Sequence, residues 1–158
     1  MARPLAFFFY GTLMGDRDNP LASEILPLLG PGIPASIRGR LRAVTTPYGW
    51  YPMLQRGPGR VRGRLFIAGS RFSLRHLRLL DAYENCDPQR PSRSEYCRRR
   101  RRVHVDGGGF AVAQVYVHNG PTHAGMPVIA RGDFSAFLDQ GRRRAYAEPV
   151  QQTLEGRP

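Results

Sequence analysis

Two stretches of this chain repeat one design that leaves few folds open. Residues 34–44, PASIRGRLRAV, carry Ile37, Leu41 and Val44 among arginines, with Gly39 in the middle. Residues 59–68, GRVRGRLFIA, do the same with Val61, Leu65 and Ile67, and Gly63 stands before Leu65 as Gly39 stands before Leu41. Apolar residues at a spacing of two mark a strand with one buried face, and an interior glycine marks a bulge or bend. Two bent strands favour a closed or strongly coiled sheet over a flat one.

The rest of the chain supplies the other parts of such a domain. Residues 5–10, LAFFFY, read as a buried strand, and a weak helical segment around residues 21–26 is interrupted by Pro27. Residues 46–59, TPYGWYPMLQRGPG, read as a loop whose Tyr48, Trp50 and Tyr51 cover a core edge or wall a pocket. Near residues 102–105 a strand reaches DGGG, a turn signal, and residues 110–117 return from it as the second arm of a hairpin. Asp133 is placed to cap a last helix, FSAFLDQ. The order implies a single α+β domain over residues 1–147, built on a small mixed sheet or barrel, and an apolar-poor tail at 148–158.

At 158 residues and 41% apolar content the chain is long enough to bury a real core. The net charge of +12 invites a nucleic-acid reading, but all 24 basic residues are arginines spread from Arg3 to Arg157, without a stacking motif or recognition helix. Nucleic acid is therefore not the expected partner. Cys86 and Cys97 make neither a disulfide framework nor a zinc set, and His76, His104, His118 and His123 have no spacing that demands a metal. The apolar run at 5–10 is too short for a signal-peptide core and nothing reaches transmembrane length. These features predict a soluble cytoplasmic protein with free thiols, no membrane partner and no metal.

The helix most informative about chemistry lies within residues 72–88, FSLRHLRLLDAYENCDP. Ser73 is a reasonable N-cap, Leu74, Leu77 and Leu80 recur at three-residue spacing, and Pro88 closes the segment. At ~100° per residue Glu84 falls ~20° from Leu77 and ~40° from Leu80, so its carboxylate extends the leucine stripe. Asp81 falls near Leu74 by the same arithmetic. A carboxylate drawn into an apolar face needs a partner or a raised pKa, and a solvated or arginine-paired Glu84 is the alternative. With Tyr83 beside them, two acids and a hydroxyl crowd one helix end, and one of them is a candidate base.

Tyr10-Gly11-Thr12-Leu13 ending the first strand and Leu80-Asp81-Ala82-Tyr83-Glu84 ending the helix together resemble the γ-glutamyl cyclotransferase-like family, which includes γ-glutamylamine cyclotransferases. The likeness takes in Tyr51-Pro52, VRGRLF before the helix, Tyr96 with Arg98 after it, and Ala113, Val115, Tyr116 and Val117 on the hairpin, and spans most of residues 5–137. It implies a small mixed β-barrel with peripheral helices and a cavity for a γ-glutamyl group. It further implies Glu84 as the catalytic acid/base, with Tyr10, Gly11, Thr12, Leu13, Tyr51 and Tyr116 as substrate-binding residues. The implied reaction, of acyltransferase or lyase type, closes the substrate's α-amine onto its own γ-carbonyl and releases 5-oxoproline and an amine, without metal or cofactor.

Residues 85–96, NCDPQRPSRSEY, exceed the compact connection such a family uses and read as a mobile surface loop. An inward member of the Arg98–Arg102 run is a candidate dock for an acidic leaving group, the outward members protecting a strand edge. A non-catalytic binding protein of the same fold, and an arginine-driven RNA binder, are the rival readings.

Overall fold

The structure, a computed structural model, describes residues 3–11, 19–123 and 125–147. Five strands form a closed barrel: β1 (Ala6–Phe9), β2 (Ile33–Thr46), β3 (Gly49–Ile67), β4 (Tyr96–Val105) and β5 (Phe110–His118). Their order around the barrel is β1-β3-β2-β4-β5. All neighbours are antiparallel except β5 with β1, which meet in parallel at Phe7 and Gln114. Three helices sit outside or at the ends, α1 (Pro20–Ile25), α2 (Leu74–Tyr83) and α3 (Phe134–Gln140).

Three consecutive phenylalanines suit β1 because both of its faces are buried. Phe8, with Tyr10 beyond it, packs into the barrel with Leu41, Val61, Val103 and Val115. Phe7 and Phe9 point the other way, into a second core that includes Ile25 of α1 and Leu80 of α2. Alternation along a strand puts successive side chains on opposite faces, so an unbroken apolar run is what a strand between two cores requires. The third helix plugs the barrel, with Phe134 fully buried and Phe137 edge-on to Trp50 at 5.4 Å. Its N-cap is Asp133, which accepts a bond from the Ala136 N–H.

Several details differ from the sequence reading. Residues 46–59 are not a loop: Thr46 and Gly49 pair across a two-residue turn, and Trp50 and Tyr51 stand on the returning strand. Aromatic residues there are strand formers, and they outweigh the turn-forming Pro and Gly around them. The sheet irregularity near Gly39 lies mainly across from it, since pairing jumps from Arg38↔Arg60 to Arg40↔Gln55 and the surplus residues belong to β3. The leucine stripe of α2 is incomplete, because Leu74, at the first turn, is 70% exposed while Leu80 is fully buried. Ile67, at the end of β3, is likewise 44% exposed, opposite the sheet face that buries Phe66.

Gly63 does not mark a bulge but a close approach. A Cβ built there would lie 2.3 Å from the Phe9 carbonyl oxygen and 2.6 Å from Phe8 Cζ, where neither the paired backbone nor the buried ring has room to move. Gly63→Ala is therefore expected to cost about 2–3 kcal/mol through overpacking. Urea unfolding measures it, and a loss below about 0.5 kcal/mol, the range of an indifferent surface change, would show that the strands accommodate the methyl group.

Candidate functional site

A cavity of about 280 Å³ opens where the end of β1, the start of β3, the end of α2 and the start of β4 converge. Tyr10, Gly11, Tyr51, Glu84 and Tyr116, five of the residues singled out from sequence, line it together. Thr12 and Leu13 lie outside the described residues. Asn85, Glu95 and Tyr146, which sequence reasoning passed over, line it as well. Asn85 had a local signal, since asparagine favours the left-handed position after a helix. Glu95 had little beyond standing next to Tyr96, and Tyr146 had none.

The backbone of Glu84 is fixed by the way α2 ends. Glu84 is the C-cap, and Asn85 follows with φ of 48°. The Asn85 N–H bonds the Ala82 carbonyl at 3.2 Å and the Cys86 N–H bonds that of Asp81 at 2.8 Å. Those two bonds are the paired closure of a Schellman motif, and asparagine is one of the residues that tolerates its left-handed step. The cap thus turns the chain sharply just beyond Glu84 and leaves its half-buried side chain at the cavity wall.

Two acids one helical turn apart meet opposite fates. The Asp81 carboxylate is buried and receives three bonds, from Arg98 Nε at 2.8 Å, Arg98 Nη2 at 3.3 Å and the Tyr116 hydroxyl at 2.6 Å. The Glu84 carboxylate makes no hydrogen bond or ion pair among the described residues. Burial, then the negative charges of Glu95 and Asp81, push its pKa up to about 8. Arg98, partly buried on β4, does not offset this, because it is committed to Asp81. For the same reason Arg98 is not free to dock an acidic leaving group, the less favoured of the two sequence readings of the arginine run.

The tyrosines wall the cavity with rings more than with free hydroxyls. Tyr10 donates to the Tyr116 carbonyl, Tyr96 donates to the Pro52 carbonyl at 2.7 Å, and Tyr83 accepts from Asn19 Nδ2 at 2.9 Å. Burial raises the pKa of Tyr10, Tyr96 and Tyr116, so all three stay protonated donors. Tyr51 stands apart: burial, followed by the charge of Glu95 and a hydrogen bond to it, raises its pKa to about 12. Gly11 lies against Pro52, and a Cβ there would come 2.8 Å from Pro52 Cγ. The absence of a side chain lets the chain leaving β1 lie flat on the cavity wall.

The long connection after Glu84 is tied down at several points, not loose. Asp87 N–H bonds Ser94 Oγ at 2.8 Å, Glu95 N–H bonds the Asn85 carbonyl at 3.0 Å, and Asn119 Nδ2 bonds the Pro91 carbonyl at 2.8 Å. Serine, aspartate and asparagine side chains supply the partners that the proline-rich backbone lacks. Both ends of this segment, Asn85 and Glu95, therefore reach the cavity wall. Cys86 and Cys97 are free and buried. Among the described residues no group of three or more His, Cys, Asp or Glu side chains is placed to hold a metal ion, and no helix is long and apolar enough to cross a membrane.

Residues 7–136 match the family described as gamma-glutamyl cyclotransferase, AIG2-like. Comparison with curated proteins gave no match. Among solved structures the chain is similar to an AIG2-like protein from Mus musculus, with 21% identity, a TM-score of 0.64, and coverage of 96% of this chain and 100% of that one. It is similar to protein ytfP from Escherichia coli at 23% identity and a TM-score of 0.55, covering 87% of this chain and 99% of that one. A structure titled gamma-glutamyl cyclotransferase shares 18% identity at a TM-score of 0.54, over 80% of this chain and 72% of that one. At these identities the structural likeness speaks for the fold, a five-stranded barrel with peripheral helices.

Proposed function

This chain belongs to the AIG2-like gamma-glutamyl cyclotransferase family, and from that premise we propose that it releases 5-oxoproline and an amine from a small γ-glutamyl compound, with Glu84 as the proton carrier. The observation that carries this reading is a carboxylate with a pKa near 8 and no partner among the described residues, on the wall of a cavity shared with Gly11.

The chemistry asks little of the protein beyond shape and proton transfer. The substrate's α-nitrogen and γ-carbonyl belong to one molecule, so folding it into an attack geometry supplies most of the entropic advantage. Glu84 takes a proton from the α-ammonium, and the freed amine attacks the γ-carbon. Glu84 then gives a proton to the departing nitrogen as its bond to that carbon breaks, and accepts the remaining proton of the ring nitrogen. Amine, lactam and Glu84 balance once that last proton leaves with the amine or with solvent. An α-amino group titrates at about 8, so a carboxyl near the same value exchanges protons with it at little cost in either direction. An ordinary carboxylate near 4.5 would be too weak a base for the first of these steps.

The glutamyl α-carboxylate meets no arginine or histidine on the described cavity wall. We assign its binding to backbone N–H groups of Tyr10-Gly11-Thr12-Leu13, for which a glycine turn is suited, with Tyr51 and Tyr116 as walls around the aliphatic chain.

The test is direct. Purified protein is given γ-glutamyl amides and peptides, and 5-oxoproline is measured against pH. Turnover requires one proton shared between Glu84 and the substrate nitrogen, so kcat/KM is expected to rise about tenfold per pH unit up to about pH 8 and to decline above it. No 5-oxoproline from any substrate refutes the activity, and a flat profile from pH 6 to 8 refutes the role of Glu84.

A further inference from the structure

Resting on that reading, we propose that Glu95 selects γ-glutamyl amides whose departing amine carries a second, cationic nitrogen. The chain has 24 arginines, yet the described cavity wall contains two carboxylates, Glu84 and Glu95, and no basic side chain. A cavity that concentrates negative charge inside a protein of net charge +12 is matched to a cation and repels an anion.

Glu95 is held as a binding group is held. Asn85 Nδ2 donates to its Oε2 at 3.0 Å, and Tyr51 stands beside it on the same wall. Its backbone is pinned on both sides, N–H to the Asn85 carbonyl at 3.0 Å and carbonyl to the Asn119 N–H at 2.8 Å. Asn85 and Tyr51 are both neutral, so they leave the charge of the carboxylate uncancelled. An arginine partner of the kind that neutralises Asp81 does not bond Glu95 among the described residues. Beside it, the rings of Tyr51 and Tyr146 meet edge-on at 6.0 Å and both line the cavity, offering aromatic surface that favours an ammonium.

The division of labour follows from the substrate. Its γ-glutamyl half brings one cation, the α-ammonium, which Glu84 deprotonates. The second carboxylate is left without a counterpart unless the departing half brings another. Leaving groups that carry a carboxylate, such as amino acids, meet the charge of Glu95 and no basic side chain on the described part of this wall.

Three γ-glutamyl amides of equal length decide the matter: those of 1,5-diaminopentane, n-pentylamine and 5-aminopentanoic acid, which end in an ammonium, a methyl and a carboxylate. Wild-type kcat/KM for 5-oxoproline release is expected to fall about tenfold at each step of that order, the size of effect one charge-assisted contact supplies. In Glu95→Gln the ammonium-to-methyl ratio is expected to approach one. Using the ratio removes any effect of Glu95 on Glu84, which all three substrates need equally. Equal rates across the series, a preference for the carboxylate, or an unchanged ratio in Glu95→Gln overturns the proposal. Tyr51→Phe, which removes the hydroxyl beside Glu95, provides a second variant and should lower the ratio part of the way. If neither these three nor any other γ-glutamyl amide or peptide yields 5-oxoproline, the cyclotransferase reading falls by itself. Calorimetric binding of the same compounds then decides the charge preference: tightest binding of the ammonium compound, lost in Glu95→Gln, supports it, and absence of ranking overturns it.

Discussion

Glu84→Gln is expected to reduce 5-oxoproline release by about 10³-fold, the contribution a positioned acid/base typically makes, while substrate binding changes only a few-fold. Glutamine keeps the shape and polarity of the side chain and removes its capacity to carry a proton. The same substitution should make the protein more stable in mild alkali. In the folded protein the Glu84 pKa is raised to about 8, against 4.5 for the free side chain. Below 4.5 the group is protonated in both states and imposes no penalty. As pH rises from there to about 8 the unfolded chain ionises and the folded one resists, so stability drains away over that window. Glutamine has no proton to lose and escapes the drain. Allowing for solvent at the half-buried side chain, Glu84→Gln should gain about 1–3 kcal/mol over the wild type at pH 8.5 and nothing at pH 4. Urea unfolding at both values, beside the turnover assay, checks the two halves together. Full turnover in the variant refutes the proton role, and equal stability at pH 8.5 refutes the desolvated carboxylate on which that role depends.

A residue that strengthens the fold when it is removed is selected for something other than folding. That signature was partly visible in the sequence, because helical geometry alone sets Glu84 beside Leu77 and Leu80. The strands were legible for a similar reason, since alternation is a local pattern and the two-faced burial of β1 is written into Phe7, Phe8 and Phe9, whereas Gly39 and Gly63 pointed to a closed sheet through bulges that neither of them makes. What could not be read depended on contacts between distant segments. Nothing near Asp81 in the chain announces that Arg98, seventeen residues on, bonds it instead of Glu84. Glu95 reaches the cavity because a long connection is folded back by Ser94 and Asn119, and its charge acts on Glu84 and Tyr51 across space. The turn at Pro47 and Tyr48 was obscured by prolines and glycines on both sides, a composition that reads as loop until strand pairing is seen.

Asp81→Ala is expected to destabilise the protein by about 3–5 kcal/mol, the usual consequence of removing one partner from a buried ion pair. Three donors lose their acceptor at once, two on Arg98 and one on Tyr116. Arg98 keeps a bond to Gln114 Oε1 at 3.1 Å, but that neutral oxygen does not balance a guanidinium whose side chain is 21% exposed. The loss arises mainly from the stranded charge, so replacing both partners should cost less than replacing the acid alone. The double variant Asp81→Leu with Arg98→Met is expected to recover about half or more of the deficit, since apolar substitutes for a buried pair are often tolerated. Denaturant unfolding of the two single variants and the double variant gives the coupling. A loss below about 1 kcal/mol in Asp81→Ala, or no recovery in the double variant, would show the pair to be solvated and its geometry incidental. Tyr116 links this prediction to the cavity, because the hydroxyl that Asp81 receives holds a ring on the same wall as Glu84. The two acids of one helix end thus separate cleanly: removing Asp81 should damage the fold and its cavity together, whereas removing Glu84 should spare the fold and stop the chemistry.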